Sequence, residues 1–512
     1  MYKIMSKNLN SYVRVLGLLR KSCDVNCRYF SSKCQEQSKI WSGFLSNTDE
    51  TRKIELQRIQ DTLIKSQQPR KSIGGGDILP EALASDFFSY YQNINSKIDK
   101  LKVFTTLAQD LGLNHDMIIN IAEDIKQTKQ RGSTSQLKLE EKLQHSLEPP
   151  YIELLSYIGR QEGGVKFIVD LRKDLLDILS DRDLACERDE LMAVNYNIRH
   201  LLSKWFSVGF LDMQRMTWQS PCDITEKVAS YEAVHEVRNW MDMKRRIGPY
   251  RRCFVFLHPS MPREPVCVLH IALRDEIPGN IQKILAEEIP SDERDVEKKN
   301  TAVFYSVTST QKGLAEIDLG HSLIMEAVNQ LKYELPNIKT FVSLSPIPGF
   351  YKWLDQKLLE TSESSVIAGI MNHKSISSEG RKVLENILKK PYNLNFKNLI
   401  SNPAWLRNEQ LCDVLQKPLL ELCASYLCNE KKKGFALDPV ANFHLRNGAI
   451  LWRLNWKADV SRKGALRSLG MMVNYKYSLN EVHDNNRQYV LRGEVATSKY
   501  ITDILADKNF NF

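Results

Sequence analysis

Three short stretches of this chain hold side chains that could do chemistry. "DPVANFHLRNG" at 438 to 448 puts His444 on a largely apolar face, with Val440, Phe443 and Asn447 at −4, −1 and +3 along a short helix. An imidazole there is either a core side chain satisfied by backbone groups or an acid or base held in a dry pocket. "FVSLSPIPGF" at 341 to 350 brings a strand to its end at Ser345, because Pro346 and Pro348 forbid continued sheet pairing. That turn presents a hydroxyl rigidly, although a Ser-Pro strand end with no chemistry has the same pattern. It is not a Gly-x-Ser-x-Gly elbow, which disfavours an acyl-serine hydrolase. "STQKGLAEIDLGHSLI" at 309 to 324 reads as strand, glycine-bearing loop, helix. Backbone N–H groups and the positive end of a helix dipole suit a pyrophosphate there. The loop matches neither a Rossmann fingerprint nor a Walker loop, and the arrangement is also common where no phosphate binds.

Metal chemistry finds no support. The ten cysteines are dispersed, with no Cys-x-x-Cys pair, and no His-x-x-x-His pair falls on a helix, so no metal site is expected. His258 and His270 lie in a predicted hairpin without carboxylates at ligand spacing. Cys222, in "TWQSPC", follows a proline in a predicted loop and is the thiol to consider for a redox or inter-subunit role.

The elements that must position these residues fall into two textures. From 38 to about 205 the pattern is helix after helix, as in "GGVKFIVDLRKDLLDIL", where Phe167, Ile168, Leu171, Leu175 and Leu176 form one stripe. "SIGGGDILP", "RGSTS" and "EPP" interrupt it, and "SIGGGD" lacks the Lys-Ser/Thr of a phosphate loop, leaving it a linker. Beyond 207 strands appear. "CFVFLHPSMPREPVCVLHIAL" predicts an antiparallel hairpin, and "AVFYSVTS" and "KTFVSLS" predict two more strands. "LGHSLIMEAVNQLKYEL" predicts a helix burying Leu323, Ile324, Ala327, Val328 and Leu331. Helices fill roughly 350 to 430. Asp438 then caps a helix with Pro439 at its first position, and Asn447-Gly448 ends it. "AILWRLNW" and "GMMVNYKYS" pair as strands before a last amphipathic helix around "TSKYITDIL". The class is α+β.

Charge narrows the partners. Of a net charge of +9, residues 1 to 30 carry +5, from Lys3, Lys7, Arg14, Arg20, Lys21 and Arg28 against Asp24. The rest is too weakly basic for a nucleic-acid footprint. No apolar run approaches the ~18 residues of a membrane span. The leader, with Leu9, Val13, Leu16 and Leu19 on one side of a basic helix, reads as a mitochondrial transit peptide or as a disordered basic tail. Arg28 lies two residues before the Phe30–Ser31 bond, as at a matrix-processing site.

Taken in order, "VRNWMDMKRRIGPYRRC", "HPSMPREPVCVLHIAL", "FYSVTSTQKGL", "SLSPIPGFYKWL", "NPAW", "GFALDPVANFHLRNGAILWRLNWKADVS" and "NYKYSL" closely resemble the malonyl-CoA decarboxylase family. The resemblance spans most of 38 to 505 and is strongest from 207 to 480. It implies an all-helical assembly domain at 38–206 and a catalytic domain of GNAT-like mixed sheet at 207–506. It implies conversion of malonyl-CoA to acetyl-CoA and carbon dioxide without a cofactor, in a homotetramer. Carried over by motif, the catalytic residues are Ser345, directly before "PIPGF", and His444 of "NFHL". The pyrophosphate turn falls on Ala315, Glu316, Ile317, Asp318, Leu319, Gly320 and His321, and Tyr477 of "NYKY" lines the malonyl site. "AEIDLGH" departs from the usual glycine-rich form of that turn. The chain ends "KNFNF" and not Ser-Lys-Leu, which favours the mitochondrial matrix over peroxisomes and leaves a cytosolic pool open. Two rivals remain at this level: a GNAT acyltransferase that uses an acyl-CoA donor, and a catalytically silent malonyl-CoA sensor.

Overall fold

The structure, a computed structural model, describes residues 78–128, 133–181, 183, 188–206, 210–287, 294–317, 320–360, 365–388 and 392–506. The basic leader, the "SIGGGD" linker, the closing "KNFNF" and two residues of the predicted pyrophosphate turn, Asp318 and Leu319, lie outside them.

Two compact units divide at Ile158. The first is helical. It contains Ile78–Gln92, Lys97–Gln109, His115–Thr128 and Ser133–Ser146, and most of Pro150–Gly159. Ser96 caps the second of these, its hydroxyl accepting the Asp99 N–H at 3.4 Å. Phe87 stacks on Tyr91 and Tyr91 meets Phe104 edge-on in its core, all three nearly inaccessible to water.

The second unit opens with two more helices, Gly164–Leu179 and Arg188–Trp205, and then turns to sheet. Phe167, Ile168, Leu171 and Leu175 are buried as the stripe predicts, and Leu176 is half-buried. The strands are β1 (Asp212–Met216), β2 (Arg251–His258), β3 (Met261–Arg274), β4 (Thr301–Ser309), β5 (Thr340–Ser343), β6 (Ser345–Pro346), β7 (Lys431–Lys432), β8 (Phe435–Ala436), β9 (Ile450–Asn455) and β10 (Met472–Tyr477). Eight form one sheet in the order β1-β2-β3-β4-β5-β10-β6, with β9 also on β10; β7 and β8 form a small hairpin apart. The predicted hairpin is β2 and β3, closed by Pro259 and Ser260 between His258 and Met261. Among the strands of the described residues only β4 and β5 pair in parallel. The helix Gly320–Glu334 is their crossover, and it buries Leu323, Ile324, Ala327, Val328 and Leu331.

Two irregularities prepare a site. The β4–β5 pairing stops at Phe304 and Ser343, whereas β4 runs on to Ser309, and Tyr305 is an extra residue in its ladder with β3. Opposite this point β10 pairs with β5 at one end (Lys476, Tyr477) and with β6 at the other (Met472, Val473). Between them the ladder is completed by side chains. Asn474 donates to the Ser343 carbonyl at 2.8 Å, and the Tyr475 N–H donates to the Ser343 hydroxyl at 3.2 Å. Buried backbone groups need such partners, so the sheet can open here without orphaning them.

Two expectations change. Pro346 was expected to stop sheet pairing, yet Ser345–Pro346 pairs antiparallel with Val473 and Met472. Its strand is two residues long and sits at the end of the order, where a missing N–H is tolerated. Cys222 is exposed as expected, but it begins the helix Cys222–Tyr231 and is not in a loop. No helix among the described residues is long and apolar enough to cross a membrane.

The helix Pro439–Arg446 ends as its sequence predicts, with Gly448 at φ +72° and its N–H on the Leu445 carbonyl at 2.9 Å. A β-carbon there would collide with the Val482 carbonyl. Gly448→Ala should therefore cost more than ~1 kcal/mol. A thermal melt of the variant beside the wild type measures this, and an unchanged midpoint would contradict it.

Candidate active site

The opened sheet and one short helix bring three predicted residues together. Asp438 fixes the helix. Its carboxylate accepts the Val440 and Ala441 N–H groups at 3.0 Å each, and its second oxygen accepts the Gly349 N–H at 3.2 Å. The helix start is thereby tied to the turn that follows Ser345. Six residues on, His444 is 2 % exposed. Its Nε2 lies 2.8 Å from Ser345 Oγ, and its Nδ1 lies 2.6 Å from the Tyr477 hydroxyl. Tyr475 stacks on the ring at 4.5 Å between centroids and 20° between planes, and Phe443 meets it edge-on at 5.1 Å. The imidazole is not a core histidine satisfied by backbone: both ring nitrogens face side chains that carry protons.

The proton directions follow from the geometry. Ser345 donates its hydroxyl hydrogen to Ser343 Oγ at 2.8 Å. Ser345 Oγ then accepts from Nε2–H, and Nδ1 accepts from the Tyr477 hydroxyl. The resting ring is neutral. Burial alone pushes its pKa down to about 3, and burial likewise lifts the Tyr477 and Tyr475 hydroxyls well above the ordinary phenol value. The Tyr475 hydroxyl is buried with no hydrogen-bond partner.

The predicted pyrophosphate turn is a separate feature. Ala315, Glu316 and Ile317 follow a 3-10 turn at Lys312–Leu314, and Gly320 and His321 begin the crossover helix. Glu316 has φ +64°, which explains how the chain turns here without the usual glycines. Neither hairpin histidine resembles His444. His258 is held by the Trp205 carbonyl and the Ser260 N–H, each at 3.1 Å. His270 lies 3.2 Å from the Glu232 carboxylate, a partner supplied from 38 residues earlier, and both side chains are fully buried. Among the described residues no group of three or more His, Cys, Asp or Glu could hold a metal ion.

Sequence reasoning missed Ser343, Asn474, Tyr475 and Asp438's second bond. Ser343 and Ser345 share a strand face, as do Tyr475 and Tyr477, so period-two spacing carried a usable signal for both pairs. Nothing in the sequence signalled that Asn474 would reach across to Ser343.

The site is thus a neutral histidine between a serine and a tyrosine, buried where two strands part. The chain belongs to the malonyl-CoA decarboxylase family: the family's C-terminal domain model matches residues 209–511 and its N-terminal domain model residues 114–206. It is similar to malonyl-CoA decarboxylase, mitochondrial, of Rattus norvegicus, at 40% identity over 84% of this chain and 87% of that one. The protein of the same name from Anser anser anser is 38% identical over 83% and 84%. Among solved structures, malonyl-CoA decarboxylase from Rhodopseudomonas palustris superposes with a TM-score of 0.72 at 32% identity, covering 88% of this chain and 98% of that one. The Agrobacterium vitis enzyme gives 0.70 at 31%, covering 87% and 98%.

Two tests follow from the geometry. Ser343→Ala removes the acceptor that turns the Ser345 hydroxyl away from the ring, so kcat should fall about tenfold, the worth of one buried hydrogen bond. Steady-state kinetics measure it, and an unchanged kcat would rule out Ser343 as the group that orients Ser345. The second test concerns pH. An unfolded histidine binds a proton below its ordinary value of 6.5, whereas folded His444 does so only near 3. Between those values the unfolded chain holds the extra proton, so His444 weakens the fold as pH drops through that window. His444→Gln should flatten the acid-side decline of the melting temperature, and parallel curves would refute the buried neutral ring.

Proposed function

We infer that this protein is a carboxy-lyase that converts malonyl-CoA to acetyl-CoA and carbon dioxide. The observation that carries the reading is the Ser345–His444–Tyr477 constellation, found in a chain whose family models span both domains.

Breaking the bond between the carboxylate and the α-carbon releases carbon dioxide and leaves an electron pair. The thioester oxygen takes up that charge as an enolate, so the thioester itself is the electron sink and no cofactor is required. Backbone groups of β4 beyond Phe304, released from its parallel partner, suit hydrogen bonds to the pantetheine and the thioester, as in a GNAT-like sheet. Ser345 turns its hydroxyl hydrogen from Ser343 Oγ to the malonyl carboxylate and grips it. That carboxylate, arriving beside a dry imidazole, favours uptake of a proton by the ring. The charged ring donates from both nitrogens; Tyr477 turns its oxygen to accept from Nδ1, and Nε2 gives its proton to the α-carbon. The ring is neutral again after each cycle, and one proton is drawn from solvent. Tyr477 need never become a buried phenolate, which its raised pKa would make costly.

The turn from Ala315 to His321, including Asp318 and Leu319, is the proposed seat of the CoA pyrophosphate, at the start of the crossover helix. Support for a mitochondrial placement comes from the basic leader and from relatives that carry that location in their names. The matrix is the proposed compartment, where the reaction would hold down malonyl-CoA in fatty-acid metabolism. Residues 38–206 are the proposed assembly domain of a homotetramer and 207–506 the catalytic domain. The two family models change over between 206 and 209, in line with that division.

Incubation with malonyl-CoA alone separates the readings. A decarboxylase makes acetyl-CoA without an acceptor, and in deuterated water the methyl group gains one deuterium. An acyltransferase needs an amine, and a sensor binds without turnover. His444→Asn should keep CoA binding and lose more than ~100-fold in turnover, and Ser345→Ala should lower turnover with a modest change in affinity. Equal loss of binding and turnover in both variants would remove these roles.

A further inference from the structure

The turn that leads into the proposed pyrophosphate site is held from outside the sheet. Arg172, on the helix Gly164–Leu179, is fully buried at 0 % exposure. Its Nη1 donates to the Gly313 carbonyl at 2.6 Å and the Ala315 carbonyl at 2.8 Å. Its Nε donates to Asn195 Oδ1 at 3.0 Å, on the helix Arg188–Trp205. Its Nη2 is buried without a partner. Among the described residues, every atom that accepts a hydrogen bond from this guanidinium is therefore a neutral amide oxygen. Burial pushes its pKa down to about 10, so it stays charged at neutral pH.

The same two helices grip the turn at further points. Lys312 pairs with Asp177, and Arg199 pairs with Glu316 at 2.9 Å. Gly313 lies against the Val169 carbonyl so closely that a β-carbon would collide with it. Neutral groups alone could tie down two carbonyls. A buried cation with an unused donor is costly in that role, and the cost falls when an anion binds nearby. Glu316 compensates only in part, because its carboxylate is exposed and already engaged by Arg199.

We propose that Arg172 is a positioning residue for the nucleotide end of malonyl-CoA. It fixes the turn at 313–315 and lends a buried positive charge to the approach of the phosphates. The inference rests on the pyrophosphate reading given above. It also gives the helices of the proposed assembly segment a second role, since Arg172 and Asn195 lie within the stretch matched by the N-terminal domain model. These helices would then help set substrate affinity.

The test compares full-length wild type and Arg172→Met on malonyl-CoA and on malonyl-pantetheine, which lacks the nucleotide and its phosphates. KM for malonyl-CoA should rise about tenfold, with kcat near the wild-type value and KM for malonyl-pantetheine unmoved. Arg172→Lys, which keeps the charge, should recover part of the loss. A rise in KM for both substrates, or a collapse of kcat, would mean that Arg172 only maintains the fold and would overturn the proposal. An unchanged KM in Arg172→Met, beside a raised KM in Gly320→Glu, would overturn it while leaving the pyrophosphate reading standing. Equal KM for the two substrates in the wild type would remove that reading and the proposal with it. Should Arg172→Met fail to fold, Asn195→Ala takes its place: a smaller rise confined to malonyl-CoA supports the proposal, and no rise overturns it.

Discussion

A sheet that opens to admit a ligand leaves backbone donors and acceptors without their ladder partners, and in a dry interior each would cost as much as a lost hydrogen bond. The site depends on how this chain meets that constraint. Ser343 sits at the last residue of the parallel pairing, and its carbonyl and hydroxyl are taken by Asn474 and by the Tyr475 N–H. Asn474 is itself fully buried and accepts from Arg453 at 3.1 Å and from Asn455 at 2.8 Å. The break in the ladder is a satisfied polar network, and it holds β6, with Ser345, at a fixed place against β10.

The electrostatics of the His444 ring follow from the same dryness. An imidazole packed between two aromatic rings, with no carboxylate among its hydrogen-bond partners, holds no charge at rest. Such a ring suits a reaction whose substrate brings the negative charge with it. A permanent acidic partner on Nδ1 would stabilise the imidazolium. A tyrosine there orients the ring while remaining neutral.

Much of this was legible because short-range rules apply to it. The hairpin β2–β3, the crossover helix and the capped helix under His444 obey period-two and period-3.6 patterning and cap chemistry, which are local properties of the chain. Pro346 was misjudged because its effect depends on whether its strand lies inside a sheet or at an edge, and that is a property of topology. The partner of His270 was missed because Glu232 arrives from outside the hairpin, and no spacing rule spans a fold.

The sequence alone determined the α+β class, the change from helices to strands beyond about 207, the helix that presents His444 and, through the ordered motifs, the family. Those features are set by neighbours within a few turns or by stretches read in series. Only the tertiary structure decided that Ser345, His444 and Tyr477 meet, because they come from three elements spread over 133 residues of chain. It alone decided that the ring is dry and neutral, since desolvation is a property of everything packed around a group. It alone brought Arg172 to the turn at 313–315, across 141 residues, by a packing of helix on loop that no local pattern encodes.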